Sequence, residues 1–188
     1  MLLTVIFRKK KDMQIINTTH IETDLGMMLA ASTNNGICLL EFTDSKHLDL
    51  ELKQLSNSLK AQFVQADNEH LLMLRKQLHE YFAEERKVFD IPLDLVGTEF
   101  QKQVWLSLLH IPYGSTTSYL KQAEFLGKPS VVRAVANANG KNKISIVLPC
   151  HRVIGTNGSL TGYGGGIWRK KILLDLEKNV IKDNKDSN

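Results

Sequence analysis

The strongest constraint on the fold is a turn signal, Asn34-Asn35-Gly36, that lies between two apolar runs. Asn-Gly readily adopts the backbone conformations that a tight hairpin turn requires. The runs on either side, residues 27–33 and 37–42, are therefore predicted to be paired β-strands. Cys38 lies inside the second run, where the expected role is that of a small buried hydrophobic side chain.

Two segments after the hairpin, residues 48–63 and 70–85, carry apolar residues at helical spacing. The second places Leu74 and Leu78 on one face. A hairpin followed by two amphipathic helices predicts a small α/β domain over residues 13–90. No catalytic constellation is visible in this half of the chain.

Composition excludes several protein classes. With 188 residues and 43% hydrophobic content, the chain can bury a core without disulfide bonds. No apolar run approaches the ~20 residues that span a bilayer. Residues 1–12 place their charge after a short apolar stretch, the reverse of a secretory signal, and we predict a disordered leader there. These features predict a cytoplasmic protein without a membrane partner, and we expect it to be a monomer.

The two cysteines, Cys38 and Cys150, are expected to stay reduced in such a protein. Neither has Cys or His partners at ligand spacing, so the sequence predicts no metal site.

The formal net charge of +4 is unevenly distributed along the chain. Residues 90–188 carry 13 Lys or Arg against 8 Asp or Glu. A basic half indicates a polyanionic partner, of which nucleic acid is the commonest, although most basic faces are merely solvated.

Residues 91–181 are predicted to form a second, mostly helical domain, with a tail at residues 182–188. Pro92 and Gly97 interrupt the preceding pattern, and Thr98 is a candidate N-cap for the helix that follows.

Two short helical segments in this second half flank a tight turn at Gly127-Lys128-Pro129. The segments, about 117–126 and 130–139, have the outline of a helix-turn-helix, and an ordinary helical hairpin fits the pattern equally well. The second segment carries one charge, Arg133, among small side chains. A helix of this kind can approach a partner closely, and a lone Arg on it can reach a phosphate or a base.

The apolar run at residues 144–148 ends at Pro149 and is followed at once by Cys150 and His151. We predict a buried strand that presents the thiol at its end. A free thiol is only a few per cent ionised at neutral pH, so a nucleophilic role requires activation. His151 and Arg152 offer proton acceptance and positive potential, but neighbours on an extended chain point apart. A structural cysteine therefore stays open from this motif alone.

A glycine-rich stretch at residues 157–166 and an amphipathic helix from Ile167 complete the pattern. The glycines free the backbone to approach a ligand closely, and a flexible surface loop is the alternative. Glu177 lies among apolar residues of the helix, where it is either solvated or turned inward to orient a histidine.

Together these residues resemble the O6-alkylguanine-DNA alkyltransferase family, also called methylated-DNA–protein-cysteine methyltransferases. The string PCHRVIG at residues 149–155 matches the active-site signature of that family, and the resemblance covers residues 91–177 with every motif in order. Residues 13–90 resemble its N-terminal ribonuclease-H-like domain more loosely. The resemblance implies an α/β (α+β) fold, with that domain followed by a mostly helical domain carrying a helix-turn-helix.

The resemblance also implies a single-use activity without a cofactor. An alkyl group would move from O6-alkylguanine, and also from O4-alkylthymine, in double-stranded DNA to Cys150 after the base is flipped out. His151 would act as base through a bridging water, with Glu177 orienting it. Asn142 would be a hinge between the helix-turn-helix and the active-site strand, and Tyr119 would donate a hydrogen bond or proton to the departing guanine.

A second set of residues is assigned to DNA by the resemblance. Arg133 would fill the gap left by the flipped nucleotide, on a helix whose small residues sit in the minor groove. The backbone at Val153 and Gly164 would read the guanine edge, and Lys170 would lie near the thiol. The DNA-binding set comprises Arg133, Val132, Ala134, Ala136, Tyr163, Gly164 and Val153.

The chain departs from the family pattern at two positions. Many members have Pro at the position of Lys143, and some have Pro at the position of Ser145. Ser145 leaves the shape of the pocket lip, and so the tolerance of bulky adducts, open. Among other functions, a non-catalytic alkyltransferase-like damage sensor would lack the acceptor thiol, and the intact PCHR string argues against it. A thiol hydrolase using Cys150 and His151 would release product repeatedly. A transcription regulator would need a sensor or dimerisation segment, which the sequence lacks.

Overall fold

The predicted hairpin forms in the computed structural model, which describes residues 13–186. Gly36 has a φ of 148°, a value that suits glycine in the turn. The predicted leader at residues 1–12 lies outside the described residues. The strands are β1 (Gln14–Thr23), β2 (Gly26–Thr33), β3 (Gly36–Phe42), β4 (Ala61–Gln65), β5 (Thr117–Ser118) and β6 (Val153–Ile154). The helices are α1 (Leu48–Leu59), α2 (Glu69–Phe82), α3 (Glu99–Leu108), α4 (Tyr119–Phe125), α5 (Val132–Asn139) and α6 (Ile167–Asp186).

The first half of the chain builds a four-stranded sheet in the order β3-β2-β1-β4, with β1 and β4 parallel and the other pairs antiparallel. The prediction of a helix over residues 48–63 is wrong at its C-terminal end. The helix stops at Lys60, which has a left-handed φ of 50°, and the chain continues as β4. Only residues 61–63 of β4 lie in the predicted helix, and so short a run shows no periodicity. The strand forms because it pairs with β1, a segment 40 or more residues away in the sequence.

Apolar side chains of both halves share one core cluster. Leu74 and Leu78 of α2 are buried there, as predicted. Cys38 is buried in β3, and both cysteines are free. Within the described residues, no helix is both long and apolar enough to cross a membrane.

The second half begins with α3, whose start is a capping box. The hydroxyl of Thr98 accepts from the backbone of Gln101, and the side chain of Gln101 accepts from the backbone of Thr98, which confirms the predicted N-cap. Helices α4 and α5 follow, separated by Gly127 with a φ of 69° and a 3-10 turn at Pro129–Val131. Helix α6 runs to Asp186, so most of the predicted tail continues this helix.

The predicted strand at residues 144–148 is wrong. This segment is buried but folds as a compact turn, with Ile146 at a φ of 71° and only Ile144 forming an isolated bridge, to Leu40. An apolar run reports burial and does not specify a strand. The segment also joins the halves, because the backbone N–H of Leu40 donates to Lys143 O and that of Ser145 donates to Leu40 O, both at 2.8 Å.

Candidate active site

Cys150 is the first residue of a 3-10 turn, Cys150–Arg152, that follows the buried segment. It is 6% exposed, and Asn142 Nδ2 donates a hydrogen bond to its Sγ at 3.2 Å. Burial raises the pKa of Cys150 to about 11, against the opposing effects of this hydrogen bond and of the charge of Lys170. The protonated thiol is therefore the resting form, and nucleophilic attack needs a proton acceptor.

Asn142 braces the whole segment that leads to the thiol. Its Oδ1 accepts from the backbone N–H of Ile144 at 3.0 Å, and its Nδ2 donates to Leu148 O at 2.9 Å. Because Asn142 lies just beyond α5, one side chain connects the end of that helix to Cys150. The structure thus brings Asn142 to the thiol, although the segment it braces is a turn and not the expected strand.

His151 is fully buried, and its Nε2 lies 2.8 Å from Glu177 Oε1. Burial lowers the pKa of His151, and the charges of Arg152 and Lys170 act in the same direction against that of Glu177. A neutral ring that donates from Nε2 to a carboxylate carries a lone pair on Nδ1. Nδ1 makes no hydrogen bond to any described residue, and the ring makes none to Cys150 directly.

Glu177 turns inward and is fully buried, which decides between the two alternatives left by the sequence. Arg152 donates to it from Nε and Nη2, both at 2.9 Å. The Tyr81 hydroxyl donates at 2.8 Å and the backbone N–H of Gly114 at 3.0 Å. Burial alone would raise the pKa of this carboxyl, but His151 and Arg152 hold it at about 2. Glu177 is therefore an ionised, immobilised acceptor for the imidazole.

The expectation that Arg152 supplies positive potential to the thiol is wrong. Its guanidinium fork is committed to Glu177, a geometry that carboxylates favour. The cation that lowers the pKa of the thiol is Lys170, which is buried and donates to Val153 O at 2.6 Å and Thr161 O at 2.8 Å. Burial lowers the pKa of Lys170 itself to about 8.

The glycine-rich stretch lies beside the site and carries two of the predicted residues. Tyr163, assigned to the DNA-binding set, is buried. Its ring lies edge-on to the His151 ring with centroids 6.4 Å apart, so Tyr163 lines the site around His151 and is not exposed at the surface. Gly164 next to it is exposed. The Tyr119 hydroxyl donates to Thr161 O at 2.8 Å, which ties α4 to this stretch.

Four residues of the predicted DNA-binding set lie on α5. Arg133 and Ala134 are exposed, and Val132 and Ala136 are half-buried. The opposite face packs Val135 into a small cluster with α3 and α4. The helix therefore presents small side chains and one Arg to solvent.

Two residues of the N-terminal half reach the site and were not anticipated, Tyr81 and Glu41. Tyr81 donates to Glu177, and Glu41 accepts a hydrogen bond from the Ser145 hydroxyl at 3.1 Å. The available signal for Glu41 is a carboxylate within the otherwise apolar run of β3. Nothing local distinguishes Tyr81 from an ordinary core tyrosine of α2.

The fold and the site together define a class of protein, in which a ribonuclease-like sheet domain and a helical domain enclose a buried thiol served by a histidine–glutamate pair. Residues 16–95 match the family model described as 6-O-methylguanine DNA methyltransferase, ribonuclease-like domain, and residues 99–179 match its DNA binding domain. The chain belongs to the methylated-DNA–protein-cysteine methyltransferase family.

Individual relatives agree with this membership. The methylated-DNA–protein-cysteine methyltransferase of Methanosarcina barkeri is 39% identical over 162 residues, 86% of this chain and 97% of the relative. That of Mycobacterium bovis is 59% identical over 103 residues, 55% of this chain, and the match spans only 62% of the relative's length. A crystal structure of Mycobacterium tuberculosis OGT in complex with DNA superposes with a TM-score of 0.74 at 40% identity, covering 88% of this chain and 94% of that one.

Proposed function

We propose that this chain repairs DNA by transferring the alkyl group of O6-alkylguanine, and of O4-alkylthymine, to its own Cys150. The observation that carries the proposal is the placement of a buried, Asn142-bonded thiol beside the His151–Glu177 pair. Relatives named for this transfer, and a related protein crystallised with DNA, support it. The working compartment is the cytoplasm, where thiols stay reduced.

The proposed reaction begins with proton transfer from Cys150 through a bridging water to Nδ1 of His151. The carboxylate of Glu177 stabilises the imidazolium that forms. Sγ then attacks the alkyl carbon in line, so that an S–C bond forms as the C–O6 bond breaks and the electron pair passes to the guanine. Tyr119, whose pKa is raised by burial, keeps its proton, and its hydroxyl would turn from Thr161 O to donate to the departing base. The thioether product is inert, so each molecule acts once.

In this proposal α4 and α5 act as a helix-turn-helix on duplex DNA. The exposed small side chains of α5 allow close approach to the minor groove, and Arg133 occupies the gap left by the flipped base. The intact thiol favours repair over a role as a non-catalytic damage sensor.

We expect stoichiometric self-alkylation when the protein is incubated with duplex DNA containing O6-methylguanine. Intact-mass spectrometry should show one added methyl group, about 14 Da, and peptide mapping should place it on Cys150. A product yield above one per protein molecule would indicate a turnover enzyme such as a thiol hydrolase. Binding without any mass change would indicate a damage sensor.

Arg133→Ala is expected to slow repair of duplex DNA by roughly 10- to 100-fold, equivalent to about 1.4–2.8 kcal/mol. Transfer from free O6-benzylguanine should change less than about twofold, because a free base leaves no gap in a stack. Arg133→Lys keeps the charge without the planar group, so its rate on duplex DNA should fall between those of the unaltered protein and Arg133→Ala. Single-turnover rates on both substrates make the comparison, and equal losses on both would assign Arg133 a structural role.

A further inference from the structure

Glu41 is a buried carboxyl group that the proposed mechanism does not use. It is 1% exposed, and its two oxygens accept hydrogen bonds from different segments. Oε1 accepts from the backbone N–H of Phe42 at 2.8 Å, and Oε2 accepts from the hydroxyl of Ser145 at 3.1 Å. The N-terminal sheet thus places one carboxyl group against the segment that leads to Cys150.

The same carboxyl group lies next to the glycine-rich stretch. A Cβ added at Gly164 would lie 3.6 Å from Glu41 Oε2, which is ordinary contact. Glu41 therefore stands between Ser145 and Gly164, the two residues that the family resemblance assigns to the pocket lip and to the guanine edge. The negative charge of Glu41 also acts on the thiol of Cys150, whose pKa it raises.

The charges around Glu41 leave it only partly compensated. Arg169 of α6 faces it, but the guanidinium of Arg169 is bound to both oxygens of Asp44 at 2.9 Å. Burial raises the pKa of Glu41 to about 7, so the group is ionised in mildly alkaline solution. The further titratable groups that interact with it are Tyr163, Cys150, Asp44 and Glu51.

We propose that Glu41 is a specificity-determining residue whose negative charge disfavours anionic groups on the carbon that Cys150 attacks, so that neutral alkyl adducts are preferred over carboxyalkyl adducts. For DNA substrates the inference rests on the proposed function. The electrostatic effect itself applies to any electrophile that reaches the thiol.

The physical reason is proximity of like charges. The reacting carbon must come within about 3–3.5 Å of Sγ, and a carboxylate attached to that carbon lies one bond further away. It therefore enters the region in which Glu41 already opposes a negative charge on Cys150. Lys170 acts in the opposite sense at the same atom, so removing the charge of Glu41 alone isolates its effect.

The first test uses two thiol probes of nearly equal shape, neutral iodoacetamide and anionic iodoacetate. In each reaction the thiolate displaces iodide, which leaves with the electron pair of the broken C–I bond, and the thiol proton goes to solvent. At about pH 8.5, above the pKa of Glu41, we expect Glu41→Gln to lower the amide-to-acetate rate ratio at Cys150 about 10-fold. Peptide mass spectrometry resolves Cys150 from the second cysteine.

Two matched variants separate charge from structure. Glu22→Gln removes an exposed carboxylate of β1 in the same sheet and should leave the ratio unchanged. Ser145→Ala removes the hydrogen bond to Glu41 and keeps the charge, so it should retain most of the discrimination. A ratio that falls in Ser145→Ala as far as in Glu41→Gln would overturn the proposal, because a merely structural role predicts that result.

If the Glu41→Gln variant does not fold, the proposal can still be tested on the unaltered protein by changing the pH. Between about pH 7.5 and pH 5.5, Glu41 gains a proton while Lys170, with a pKa of about 8, is already largely charged. The amide-to-acetate ratio should therefore fall as the pH falls. A ratio that stays constant over this range would overturn the proposal.

The same variants are then tested on duplexes carrying O6-methylguanine or O6-carboxymethylguanine. We expect Glu41→Gln to raise carboxymethyl transfer relative to methyl transfer by about 10-fold. A shifted probe ratio without transfer from either duplex would support the inference and reject the proposed function. Transfer from both duplexes at an unchanged ratio would reject the inference and support the function.

Discussion

A Cys150→Ser variant is expected to lose alkyl transfer completely while it keeps its fold and its affinity for alkylated duplex DNA. Serine is nearly isosteric with cysteine, and its oxygen can still accept the hydrogen bond that Asn142 now gives to Sγ. The hydroxyl is far less acidic than the thiol, so His151 cannot ionise it to a useful extent. Helix α5 does not contain Cys150, so its exposed face should be unaffected.

Single-turnover transfer from labelled DNA, beside a gel-shift titration, measures the two properties separately. Cys38→Ser is the matched control, because Cys38 is the other free thiol and burial raises its pKa to about 12. We expect Cys38→Ser to transfer the label as fast as the unaltered protein. Label accepted by Cys150→Ser would place the acceptor elsewhere. Loss of DNA binding in that variant would make Cys150 a packing residue.

Features with a local cause were predicted from the sequence. The hairpin turn depends on the conformational freedom of Asn35-Gly36, and the start of α3 depends on a capping pair three residues apart, Thr98 and Gln101. Cys150 and His151 belong to a contiguous, highly specific string. Each of these signals lies within a few residues, so the rest of the fold is not needed to read it.

Features that depend on distant partners were missed. Strand β4 forms only where β1 offers an edge, and the segment at residues 144–148 gives up strand geometry because Asn142 and the edge of β3 satisfy its backbone. Arg152 looked like a partner of the adjacent thiol. Its actual partner, Glu177, is 25 residues away. A buried carboxylate without a counter-ion would be strongly destabilising, so the guanidinium of Arg152 pairs with Glu177.

The second large effect is expected from Glu177→Gln, which should slow alkyl transfer by about 100-fold or more and destabilise the fold by about 3–5 kcal/mol. The carboxylate accepts five hydrogen bonds from four residues, His151, Arg152, Tyr81 and Gly114. A glutamine can accept at one oxygen only, and its NH2 group would face donors. The charge of Arg152 would also stay buried without a counter-ion.

Urea unfolding and single-turnover transfer are the measurements, with Asp175→Asn as the control. Asp175 is an exposed carboxylate on the same helix, so both quantities should change little. His151→Ala should slow transfer more than Glu177→Gln does, because the base itself is lost, and the two losses should not add. A Glu177→Gln protein with normal transfer would remove the orienting role of the carboxylate.

The pH dependence of stability gives an independent check on the same residue. The folded-state pKa of Glu177, about 2, lies below the ordinary value of 4.5. Its contribution to stability is therefore complete above about pH 4.5 and is lost as the pH falls towards 2. In Glu177→Gln, which has no group to titrate, the free energy of unfolding should fall less steeply over this acid range than in the unaltered protein. Identical acid slopes in the two proteins would mean that Glu177 is not held ionised by His151 and Arg152, and the proposed general base would then lack its fixed counter-charge.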